Sequence, residues 1–63
     1  MKINALKMQI LMGGQELSIK SLAEKSEVSR QTISCIKAGK SCSPQVACKL
    51  AKALGVRVEE LLM

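Results

Sequence analysis

Aromatic side chains are missing altogether: the 63 residues contain no Phe, Tyr or Trp. A hydrophobic core must therefore be assembled from Leu, Ile, Val, Met and Ala, which suits helices packed on one another. His and Asp are also absent, and all five acidic residues are Glu. With no His and no carboxylate pair beside a nucleophile, nothing points to a catalytic site, and an enzyme is not expected. The three cysteines, Cys35, Cys42 and Cys48, lack a His to complete a zinc set, so neither a metal nor a cofactor is expected. They read as small thiols in a reducing cytosol, with a redox-sensitive Cys35 as the alternative. No apolar run approaches the roughly 20 residues of a membrane span, and Met1-Lys2 does not lead into a signal peptide. The expected location is the cytoplasm.

What is present is positive charge, unevenly spread. The formal net charge is +5, and no acidic residue lies between Glu27 and Glu59, whereas Arg30, Lys37, Lys40, Lys49, Lys52 and Arg57 all do. Such a stretch is either a solvated surface or a surface for a polyanion.

The stretch from Ser18 to Lys40 narrows that choice. Leu22 and Ala23 share one helical face, Ile33 and Ile36 repeat at i, i+3, and Ser26 to Ser29 interrupt the pattern between them. The break is too short for the two helices to lie side by side, so they form a helix-turn-helix. Ser29 is placed to cap the second helix, which leaves Arg30, Gln31 and Thr32 in its exposed first turn.

LAEKSEVSRQTIS, Gly39-Lys40 and LAKALGV together resemble the Cro/C1-type (XRE-like) helix-turn-helix domain shared by phage repressors, Cro proteins and many small bacterial regulators. The likeness runs from about Leu6 to Leu62 and keeps the spacing of Gly39, Pro44, Leu50 and Gly55. It implies an all-α, compact five-helix, lambda-repressor-like domain over residues 1–63, encoded by a bacterium or phage and acting on double-stranded DNA. Three departures stand out. The Arg that relatives often carry near Met12, for a buried ion pair, is missing. Ile19 stands where Gln commonly touches phosphate, leaving Lys20 or Ser21 for that contact. Glu27 occupies a turn position usually held by Gly, at a cost of about 1 kcal/mol or somewhat more.

In that frame the third helix, about Arg30 to Ala38, reads the major groove. Arg30 can donate two hydrogen bonds to guanine, and Gln31 can donate to and accept from adenine, each good pair discriminating by about 1–3 kcal/mol. Thr32, Ser34 and Cys35 complete the base-contacting set, Cys35 by apolar contact with a thymine methyl. Phosphate contacts are expected from Lys20, Ser29, Lys37, Lys40, Ser41 and Ser43; Lys40 matches a phosphate-binding lysine of relatives. Gly39 should end the helix in the left-handed conformation.

The remaining helices are framework. Asn4 can cap a first helix that stops at Gly13-Gly14 near Met12. Ile3, Leu6, Ile10 and Leu11 form one apolar stripe expected to pack on the domain. Met1, Met8, Met12 and Ala5 form a second, expected to be core, with an adaptable protein-binding surface as the alternative. Ser43 and Pro44 open the fourth helix, which closes at Gly55 with Val46, Ala47, Leu50 and Leu54 inward. The fifth, Val58 to Met63, carries Glu59 and Glu60 in its first turn. Its Val58, Leu61, Leu62 and Met63 are more apolar than such a short helix readily buries, and a homodimer through them would read a palindromic operator. Repression is the expected outcome of that binding. The alternatives are a protein partner, as in an antitoxin-like module, and a DNA-bending architectural factor.

Overall fold

Short polar side chains open four of the five helices. The computed structural model describes residues 1–63 and arranges them as α1 (Ala5–Gly14), α2 (Ile19–Ser26), α3 (Arg30–Lys37), α4 (Pro44–Leu54) and α5 (Val58–Leu61). Asn4 Oδ1 accepts from the Lys7 N–H at 3.1 Å, Ser18 Oγ from Ser21 at 3.1 Å, Ser29 Oγ from Thr32 at 3.2 Å and Ser43 Oγ from Val46 at 3.2 Å. Each cap satisfies an amide that the helix itself leaves unpaired, worth about 1 kcal/mol. α5 starts differently, with the Glu60 carboxylate accepting from the backbone N–H of Arg57 at 2.9 Å.

The helix ends divide into two kinds. α3 and α4 close on left-handed glycines, Gly39 at φ 97° and Gly55 at φ 74°. α1 and α2 close on glutamates instead, Glu16 at φ 57° and Glu27 at φ 61°. The Glu27 conformation is the one its place in the turn requires. The expected stop of α1 at Gly13-Gly14 is corrected: the helix runs through both glycines, and the reversal comes at Glu16. Leu17 decides this. Its N–H reaches back to the Met12 carbonyl at 2.8 Å while its side chain packs on the core, and both contacts need the left-handed residue to be the one just before it.

α2 packs on α3 and α4, α1 on α3, and α5 on α4. The core between them is built on Met8, Leu22, Ile33, Ile36, Leu50 and Leu61, all essentially inaccessible to solvent. Ala47, Ala51, Ala53 and Leu54 bury the inner face of α4, with Val46 at its margin. Ser26 is the one buried polar side chain; its hydroxyl donates to the Leu22 carbonyl at 2.6 Å and accepts from the Val28 N–H at 3.3 Å, which closes the turn.

Two expectations about packing are corrected here. In α1 Met8 and Met12 are buried, as expected of their stripe, but Leu6 and Ile10 of the stripe expected to pack on the domain remain 68% and 63% exposed. The helix is apolar on both sides, so its periodicity alone could not say which side turns inward. At the other end of the chain, α5 is a single turn rather than a helix to Met63. Leu61 is fully buried in its own protomer, which removes it from any dimer surface. Leu62 is extended and pairs antiparallel with Ile3, and the Asn4 N–H donates to the Leu61 carbonyl at 2.7 Å. The N-terminal arm thereby covers the apolar residues that a lone turn of helix leaves open.

No buried ion pair replaces the missing Arg near Met12. The Gln15 side-chain amide instead donates to the Leu54 carbonyl at 2.7 Å, tying the end of α1 to the end of α4.

Candidate nucleic-acid interface

Burial of Ile33 and Ile36 fixes which side of α3 faces out. Opposite them, Arg30, Gln31, Ser34 and Lys37 are exposed, and Thr32 and Cys35 are half-buried at the edges. The five residues expected to meet bases therefore share one accessible surface. Thr32 is partly engaged already: the Ser29 hydroxyl donates to its Oγ1 at 2.8 Å while Ser29 Oγ also accepts the Thr32 N–H. Those bonds fix the first turn, leaving the Thr32 hydroxyl proton free to donate outward.

The expected phosphate contacts fall into three groups. Lys20, Ser29 and Arg30 line one open cleft beside the turn, together with Glu24 and Glu27. Lys37 of α3 and Ser18 at the start of α2 line a second groove, together with Gln9 and Gly13 of α1. Lys40, Ser41 and Ser43 are exposed on the segment joining α3 to α4 and share neither groove with the others. The Lys40 backbone is fixed by its N–H to the Cys35 carbonyl at 3.0 Å, and the Ser43 hydroxyl keeps its proton after accepting the cap bond from Val46.

Electrostatically, this surface is free of internal partners. The only ion pair in the molecule is Arg57 with Glu59, at 3.6 Å on the far end of the chain and almost fully solvated. Arg30, Lys20, Lys37 and Lys40 are therefore not held in ion pairs, although Glu24 and Glu27 share the cleft of Lys20 and Arg30; Lys37 and Lys40 lie outside it, where their charge can neutralise phosphates and release counterions.

Ser18 and Ser21 are polar groups that the sequence reading left out of the site or named only in passing. Their hydroxyls stand 2.9 Å apart at the exposed start of α2, next to Lys20. Ser-x-x-Ser at a helix start is the signal that could have found them, since one of the two bonded hydroxyls keeps a proton to donate. Ile19 contributes nothing polar there and packs against the core.

A family model described as "Helix-turn-helix" matches residues 8–61. The match begins inside α1, runs through α5 and includes every residue of the exposed α3 surface. No curated protein and no solved structure matches the chain.

Proposed function

Because the chain belongs to the Cro/C1-type helix-turn-helix family of DNA-binding regulators, we propose that it is a sequence-specific transcriptional repressor reading a palindromic operator. The observation that carries this reading is the first turn of α3, where Arg30 and Gln31 are exposed, capped by Ser29 and free of any ion pair. An α-helix fits the major groove, and its first residues lie nearest the base edges. Arg30 would bind guanine O6 and N7, Gln31 adenine N6 and N7, with Thr32, Ser34 and Cys35 at neighbouring pairs. Lys20, Lys37, Lys40, Ser41 and Ser43 would hold the phosphates, with Ser29 contributing its backbone N–H because its hydroxyl proton goes to Thr32, and with whichever of the bonded Ser18 and Ser21 hydroxyls keeps its proton.

A homodimer completes the reading, since one short helix reads few base pairs and two set about 34 Å apart read a palindrome. Val58, Leu62 and Met63 are the C-terminal residues left for that contact once Leu61 is counted as core. Bound across a promoter, such a dimer blocks polymerase in the cytoplasm of a bacterium, whether encoded by the cell or by a phage. The competing protein-interaction reading rests on the methionine stripe of α1 and the apolar C-terminus; burial of Met8 and Met12 narrows that surface to Met1 and the C-terminal residues, of which Met63 is the most exposed.

Selection of bound duplexes from a random DNA pool, at two salt concentrations, tests the proposal. A palindromic motif that Arg30→Ala with Gln31→Ala erases is the expected result. Binding without a motif that vanishes as salt rises would overturn it.

A further inference from the structure

Helix α1 is apolar on two sides, and the protomer uses only one. Met8 and Met12 enter the core, whereas Leu6 and Ile10 stand out into solvent on the opposite side. Gly14 follows at i+8 from Leu6 and continues the outward strip, with Gly13 at i+7 on its edge, where it also lines the groove beside Lys37. Neither glycine is required by its own chain. Both lie inside the helix with no positive φ, the reversal is made by Glu16, and a Cβ added at either would meet nothing within 4 Å. Glycine is disfavoured in a helix relative to alanine, so the sequence keeps two weak positions that the packing of the protomer does not explain.

Two bulky apolar residues followed by two bare ones make a strip complementary to itself when reversed. With Ile10 at a twofold axis, Leu6 of one copy lies over Gly14 of the other, where the absence of a side chain leaves room for it. The charges favour the same orientation. Lys2 and Lys7 sit at the N-terminal end, Glu16 follows the C-terminal end, and α1 has no acidic residue in its first turn and no basic one in its last. Antiparallel copies bring lysines towards glutamate, whereas parallel copies would align like with like. Met63, 83% exposed, is held at the N-terminal end of the strip by its N–H to the Lys2 carbonyl at 3.2 Å.

We propose that the outward face of α1 is a self-association surface that pairs antiparallel with the same face of a second copy of this chain. The proposal deepens the homodimer part of the DNA-binding reading and moves the main contact from the C-terminus to α1. The strip offers only two large exposed apolar side chains per copy, Leu6 and Ile10, so the association is weak and concentration-dependent.

Sedimentation velocity on the full chain without DNA, over a range of concentrations, reads this directly. The unaltered protein is expected to self-associate, and Leu6→Glu with Ile10→Glu to weaken the association on the order of tenfold or more. Gly14→Gln should weaken it too, with helicity by circular dichroism unchanged or higher, so that loss of association is not loss of fold. A protein that stays monomeric throughout, or whose association neither variant alters, overturns the proposal. If Met63→Glu abolishes association while the α1 variants leave it intact, the contact is C-terminal: the α1 proposal fails and the homodimer survives. The DNA reading is scored separately by the pool selection.

Discussion

The segment from Ser18 to Gly55 and the two ends of the chain are held together by different means. In the middle, each helix has a serine cap, one apolar face and one polar face, so local chemistry and burial agree. At the ends, α1 is apolar on both sides and α5 has a single turn, and neither could choose its inner face alone. Packing against α3 settles the matter for α1, and the arm closes over the C-terminus by pairing backbone to backbone, Ile3 with Leu62. A reading surface needs side chains at fixed places, and the self-sufficient middle supplies it; the ends complete the core beneath.

The contrast is broken most severely at two leucines whose expected roles are exchanged. Leu61→Ala should cost about 2–5 kcal/mol in chemical denaturation, as for any fully buried leucine, whereas Leu6→Ala should fall within about 0.5 kcal/mol. Equal effects would mean that the ends are not packed as described. On the DNA side, Arg30→Ala should lose about 1–3 kcal/mol of discrimination at its base pair, measured by competition with altered operators. Lys40→Ala should instead weaken all sequences alike and lower the salt slope by about one. Ser29→Ala should destabilise by about 1 kcal/mol, a fall in Tm of about 4–8 °C for a domain this small, because the middle depends on its caps. Smallest is Glu27→Gly, which relieves a left-handed non-glycine residue and should stabilise by up to about 1 kcal/mol in the same melt.

The helix-turn-helix was legible because its signals are local. Ser18, Ser29 and Ser43 cap the helices they precede, Gly39 and Gly55 take the left-handed conformation at their ends, and Ile33 and Ile36 are buried at the spacing that named them. The exposed face of α3 follows from that burial, so its accessible residues could be named from pattern alone. The ends were not legible, because their outcome depends on what each helix meets. Periodicity offered two stripes for α1, and packing against α3 selected Met8 and Met12. Glycine signalled a stop, yet Leu17 moved the reversal to Glu16, since the apolar residue after the turn must reach the core. Leu61 could be read as surplus apolar surface only while the arm that covers it was taken to be free.

The pairing of Ile3 with Leu62 has a consequence for how the molecule assembles and opens. It joins residues from opposite ends of the chain, so forming it, with the adjoining Met63-to-Lys2 bond, closes nearly the whole sequence into a ring at the largest loop-closure entropy in the fold. Such a contact gains most by forming last, after the three central helices have condensed, and it is the natural first site of local opening. Amide exchange at Asn4 and Met63 should then run ahead of exchange at Ile33 and Leu50, with the two ends opening together as one unit while α3 stays folded.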